Sequence, residues 1–234
     1  IGYTTGFVAL IASGIVLYRS GGAPLLSLWN AAPGLLLTLL APAASAILVA
    51  ASLATGPRRV LAAFWRIRGT SGRLPSDYVD TYGLAPAAFN MGLLGLLFSG
   101  LVAATGAPFN GPVLGGLFTV IGFGAFGKHP QNVAPVVAGA LLSILVFGAH
   151  PAEPGAILAL LFCTTLAPLA GEFGPIAGLS AGFLHFAIVR RAAAWHIGLG
   201  LYNNGLAGGM AATLIVALIE WYRSSRETEF RRAP

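Results

Sequence analysis

The chain has 234 residues, of which 56% are hydrophobic and 9% charged, with a formal net charge of +6. Soluble domains carry roughly 25% charged residues, so this composition excludes a water-soluble globule and describes a polytopic α-helical membrane protein. The basic excess gathers in short stretches between apolar runs, where it is a topology signal, and it excludes a nucleic-acid partner.

One bilayer crossing takes roughly 17–25 apolar residues. On that measure about eight segments are expected, some of them short: near Gly2–Tyr18, Leu35–Leu53, Leu84–Thr105, Pro112–Phe126, Val133–Gly148, Gly155–Ala170, Phe173–Val189 and Leu201–Tyr222. The expected fold class is an all-α membrane bundle with broken or re-entrant helices and a partial inverted repeat. Within this single membrane domain, residues 1–54 read as an N-terminal helix pair and 55–83 as a basic cytoplasmic connection. Residues 84–222 read as a repeat-containing core and 223–234 as a basic cytoplasmic tail. The opening at Ile1 carries no charged n-region and reads as a trimmed or partial product. Cys163 is the sole cysteine and sits in an apolar run, as an inert buried thiol does.

The connection holds Arg58, Arg59, Arg66, Arg68 and Arg73, and the tail holds Arg223, Arg226, Arg231 and Arg232. The positive-inside rule places both zones, and with them the C-terminus, in the cytoplasm of a bacterial inner membrane. The third segment then runs outward and the eighth inward. Lys128 falls inside on this count, while Arg190 and Arg191 fall outside, against the rule.

Two matched signatures stand out: Phe89-Asn90-Met91-Gly92-Leu93-Leu94-Gly95 and Tyr202-Asn203-Asn204-Gly205-Leu206-Ala207-Gly208. An amide at the mouth of a lipid-embedded helix is costly unless something polar meets it. Asn90, Asn203 and Asn204, with Phe89 and Tyr202, are therefore candidates to line a solute path. The competing reading is an interhelical hydrogen bond. Between the signatures, Gly122, Gly124 and Gly127 lead into Lys128-His129-Pro130-Gln131-Asn132, with Pro135 following. Two prolines and dense glycine argue for a broken helix. Gln131 and Asn132 join the candidate path, and Lys128 and His129 are candidates for coupling or gating. A plain cytoplasmic turn explains the same residues. Glu172 could pair with Lys128 or bind a coupling cation, and His185 titrates near neutral pH when free. Each also has a bland reading, as an interfacial turn residue and a packing histidine. Gly174, Gly178 and Gly182 read as a helix-packing face.

Enzyme chemistry finds no footing: no metal-spaced His/Cys/Asp/Glu cluster, no nucleophile elbow and no phosphate loop stand in the sequence. No metal site and no cofactor are expected. The aromatic-Asn helices at Phe89–Gly95 and Tyr202–Gly208, with a Gly-rich run breaking at His129–Gly139, resemble part of the urea transporters. That resemblance implies two inverted halves, each with a filter helix. The chain looks closer still to an uncharacterised family of bacterial multispanning proteins known only as a domain of unknown function. Gly111–Pro135 and Leu201–Gly209 carry that likeness.

The function expected is a membrane channel or facilitator for a small neutral polar solute, acting passively past the Asn-lined helix starts. Two alternatives are a non-transporting subunit of a larger membrane complex and an ion- or proton-coupled transporter using Glu172 and His185. The partners expected are the lipid bilayer, the solute, and further copies of the chain or a surrounding complex.

Overall fold

The computed structural model describes residues 33–195 and 202–232; the expected segment Gly2–Tyr18 lies outside the described residues. These residues form helices and no strand: α1 (Leu35–Ala54), α2 (Pro57–Ile67), α3 (Tyr78–Tyr82), α4 (Leu84–Thr105), α5 (Gly111–Phe123), α6 (Pro130–Val146), α7 (Pro154–Phe162), α8 (Ala167–Phe173), α9 (Pro175–Trp195) and α10 (Tyr202–Arg232). A 3₁₀ turn, Cys163–Leu166, joins α7 to α8. Four stretches are long and apolar enough to cross a bilayer: Leu35–Ala54, Leu84–Thr105, Pro154–Phe173 and Asn203–Arg226. The helices α5 and α6 are shorter and apolar.

Proline sets many of the helix starts. It occupies the first turn of α2, α5, α6, α7 and α8 and opens α9, where its missing N–H is one of the helix's orphan donors in any case. Asn110 caps α5, its Oδ1 accepting from the Val113 amide at 3.2 Å. The chain traverses the bundle seven times among the described residues, in α1, α4, α5, α6, α7–α8, α9 and α10. These correspond to seven of the eight expected segments. The expected boundary at residue 222 has no structural counterpart, because α10 continues through it to Arg232.

Side-chain neighbours fix the direction of each leg. Gly92 faces Leu48 and Val49, and Gly95 faces Ser45, so α1 and α4 are antiparallel. Gly95 also faces Ile121, and Gly124 faces Met91, which makes α4 and α5 a hairpin. Pro135 lies beside Gly178, and Phe147 beside Phe183, Phe186 and Arg190. The helices α6 and α9 therefore run parallel, with α7–α8 as the return leg. The last helix, α10, runs antiparallel to α9: Asn204 meets His185, and Arg223 lies over Phe173 just before α9 begins.

One end of the bundle, the basic end, thus gathers the starts of α4, α6 and α9 with the finishes of α1, α5 and α8. Arg73 pairs there with Glu172 at 3.8 Å, and the Arg223 guanidinium lies 5.4 Å from the Phe173 ring. Both arginine zones therefore converge on the same end. Arg190 sits at the far end, donating to the Phe147 carbonyl at 3.0 Å.

The core is apolar and dense. Leu117, Val136, Ala140, Ile144, Ile157, Leu160 and Leu161 are fully buried, while Leu35, Leu36 and Ile47 on α1 face outward, as lipid-contacting residues do. At Gly139 a Cβ would collide with the Leu179 carbonyl, and at Gly182 with that of Val136. Glycine lets the α6 and α9 backbones touch there, which is how small residues drive helix association without a hydrophobic gradient. Gly178 likewise faces Ala170 and Pro135, so the expected packing face is present at Gly178 and Gly182; Gly174 is not part of it, standing in open space with φ 91° between α8 and α9.

Candidate functional site

The helix expected to break does so. The first arm, α5, stops at Phe123, residues 124–127 turn, and α6 restarts at Pro130. At 1.5 Å per residue the 13-residue α5 is about 20 Å long, short of the ~30 Å hydrocarbon layer. The break therefore falls inside the bundle. Irregular backbone at such depth needs internal partners, and three groups supply them. Asn90, about 9 Å along α4 from Leu84, donates from Nδ2 to the carbonyls of Gly124 and Lys128, each at 2.7 Å. Asn132 donates to the Gly127 carbonyl at 2.8 Å, and its Oδ1 accepts from the His129 amide at 2.9 Å. His129 caps α6, with Nδ1 accepting from the Asn132 amide at 3.3 Å and Nε2 bonded to the Thr70 carbonyl at 3.0 Å. One ring nitrogen must accept and the other must donate, so the imidazole is neutral.

The Thr70 contact belongs to a larger arrangement. The polar connection before α3 folds onto the break and plugs it from the basic end. The Tyr78 amide donates to the Ala125 carbonyl at 2.9 Å. Gly72 and Gly127 touch backbone to backbone, a Cβ on either colliding with the other's carbonyl. Both have positive φ, 74° and 92°, a conformation that favours glycine. Beside this plug lies a cavity of ≈ 230 Å³, with Thr70, His129 and Asn132 on one part of its wall and Pro135, Ala170 and Pro175 on another. Tyr78, buried in the plug against the Thr70 hydroxyl at 2.8 Å, has its phenol pushed up by burial to about 12, with the Thr70 hydrogen bond pulling the other way.

Lys128 is the centre of the site. It is 3% exposed, and its Nζ donates to Thr164 Oγ1 at 2.8 Å. Nζ also lies 4.9 Å from the centre of the Phe123 ring, within reach of its electron-rich face. Thr164 stands in the 3₁₀ turn, near the middle of the Pro154–Phe173 span, and passes its own hydrogen to the Leu161 carbonyl at 2.8 Å. Glu172, an expected partner, is turned away to Arg73. Among the described residues that is the sole ion pair, so the Lys128 amine has no carboxylate.

Beyond the turn, the seam continues toward the far end. Gly208 on α10 lies between the exposed Thr165, whose hydroxyl donates to the Phe162 carbonyl at 2.9 Å, and the buried His185 ring. His185 is fully buried, its Nε2 3.2 Å from the Asn204 carbonyl. The side-chain oxygens of Asn203 and Asn204 and the Nδ1 of His185 are buried without a partner. Asn203 opens onto a second cavity of ≈ 390 Å³ at the far end, with Glu153 and Arg190 in its wall.

The two signatures therefore sit toward opposite ends of the bundle, on antiparallel helices, Asn90 at the helix break and Asn203 at the far-end cavity. Their local roles differ. Asn90 lies inside α4 and holds the break, whereas Asn203 and Asn204 follow Tyr202 in the first turn of α10. Phe89 points away from the seam into an apolar cluster, its ring 5.1 Å from Phe64 and edge-on at 74°. The Tyr202 side chain lies outside the described residues. Sequence reasoning missed Thr164, Thr70 and Gly72. The Thr164-Thr165 pair interrupting an apolar run was the available signal for the first.

A family model described as "Protein of unknown function (DUF1576)" matches residues 56–221. The chain belongs to this family. Comparison with curated proteins and with solved structures finds no match, and nothing in these comparisons supports the likeness to urea transporters or a bacterial source. The DUF1576 match spans the plug, the helix break, Lys128 and the far-end asparagines.

Proposed function

We propose that this DUF1576 protein is a membrane transporter for a small polar solute. Its route follows the seam from the plugged cavity past Asn90, Lys128 and Thr164 to His185, Asn204 and Asn203. The observation that carries this reading is Lys128, a basic side chain at mid-bundle with one threonine for company. Ionisable groups at such depth are costly and face a solute or ion pathway. Two interrupted helices meet at this point, the α5–α6 break and the 3₁₀ turn, and broken helices at the midplane are where transporters bind their cargo. Asn90, Lys128, Thr164 and His185 are each no more than 3% exposed, which fits an occluded conformer. The basic end faces the cytoplasm by the positive-inside rule. Glu172 plays no part in this route, since it serves the Arg73 contact at the bundle's edge.

The reading is tested by reconstituting the purified protein into liposomes. Osmotic swelling with urea and glycerol, and internal pH with nitrate and lactate, are followed against protein-free vesicles. Entry of at least one solute is expected to accelerate, and Gly208→Leu, which sets bulk against the buried His185 ring, to slow it. Vesicles indistinguishable from the protein-free control with all four solutes would contradict transport.

A further inference from the structure

We infer that Lys128 is the binding site for a small monovalent anion, which enters the seam together with one proton. This rests on the transport reading and names the class of its cargo. An ammonium can donate three hydrogen bonds, and among the described residues Lys128 makes one, to Thr164 at 2.8 Å. The Phe123 ring covers another side of it but accepts no conventional hydrogen bond. An ion desolvated without a counter-charge is strongly disfavoured. In this setting the amine has two tolerable states: uncharged, or charged and paired with an anion.

The surrounding elements supply no competitor for the second state. The helices α4, α5, α6 and α7 contain no titratable side chain. On the 3₁₀ turn, Cys163 is fully buried and donates to the Leu160 carbonyl at 3.3 Å. His129, the next residue in the chain, turns its ring away to Thr70. On α8, Glu172 is engaged by Arg73, and on α9 His185 faces Asn204. Among the described residues none places a counter-charge beside the amine, and an anion from solution would supply it. The balance is simple: neutral amine, one proton and one anion give an ammonium–anion pair of zero net charge. Lys128 itself stays in place: the anion and the proton leave together toward the far end, the amine returns to its uncharged form, and no unpaired ion is left buried in the bundle.

The test has two readouts on the purified full chain. In detergent, melting is followed with sodium nitrate, formate, lactate or phosphate against sodium gluconate. In liposomes loaded with a pH-sensitive dye, an inward nitrate or lactate gradient is imposed. At least one anion is expected to raise the melting temperature, more strongly at lower pH, and to acidify the lumen. Lys128→Met and Lys128→Gln should each abolish both effects while melting cooperatively without anion. Thr164→Val should reduce acidification about tenfold, the size of one lost charge-assisted hydrogen bond. Acidification that survives Lys128→Met would overturn the inference, as would absence of any anion-dependent melting shift. Urea or glycerol flux without an anion effect would leave the transport reading standing and remove the anion. Absence of both would remove both.

Discussion

Asn90 holds Lys128 in position by donating to its main-chain carbonyl at 2.7 Å, while the same amide nitrogen also donates to Gly124. A helix break is thereby tied to the wall of α4, and the lysine side chain is aimed toward Thr164 instead of the bilayer surface.

Replacing that amide should cost stability before it costs anything else. In Asn90→Leu two buried carbonyls lose their donor, at about 1–3 kcal/mol for each group left unsatisfied. The melting temperature in detergent should fall well below that of Asn203→Leu, whose side-chain oxygen already lacks a partner. An Asn90→Leu protein as stable as the parent would remove the bracing role.

The α6–α9 pair should be intolerant of any side chain at its contact. A Cβ at Gly182 meets the Val136 backbone and one at Gly139 meets that of Leu179, and backbone cannot swing aside as a flexible side chain can. Gly139→Leu and Gly182→Leu are expected to lose most cooperative folding. Gly100→Ala and Gly115→Ala, where a Cβ meets open space, should melt close to the parent. Size-exclusion profiles and melting curves of the four variants make the comparison, and equal behaviour would contradict the packing.

Alkaline pH should loosen the plug through Tyr78. Its folded value of about 12 exceeds the ordinary 10.0, so the unfolded chain ionises first as pH rises. Stability is then fully present below pH 10 and declines between about 10 and 12. Tyr78→Phe, which keeps the ring and removes the ionisation, should flatten that decline. Parallel pH–melting curves for parent and variant would refute the assignment.

The arginine zones should report from one side. Arg73 contacts Glu172 and Arg223 contacts Phe173, adjacent residues at the end of α8. In a Cys163→Ser background, cysteines at 73 and 223 should react with an impermeant maleimide in the same vesicle orientation. Opposite labelling would break the seven-leg topology.

The span pattern was legible because lipid imposes it: one crossing needs a run of apolar residues whatever it packs against. Leu84–Thr105 has the same bounds in sequence and structure. The helix break was legible for a similarly local reason, since Pro130 and clustered glycines oppose a continuous ladder. Partners were not. Nothing near Lys128 in sequence points to Thr164, 36 residues on, and Glu172 looked as suitable a partner until Arg73 claimed it. The plug was hidden too, because Thr70, Ser71 and Gly72 read as an ordinary polar loop. Their placement depends on His129, Gly171 and Gly127, contacts that only the assembled bundle creates.

The account's central claim, that the seam around Lys128 is a solute route, is tested most directly by water access to Thr164. In a Cys163→Ser background, Thr164→Cys is placed in liposomes beside Ala140→Cys, which lies fully buried in the apolar core. Only a cysteine that meets water forms the reactive thiolate. The account predicts that a small charged methanethiosulfonate modifies Thr164→Cys as the seam opens and leaves Ala140→Cys untouched. Equal inertness of the two cysteines, with Leu74→Cys at an exposed position reacting normally, would contradict it.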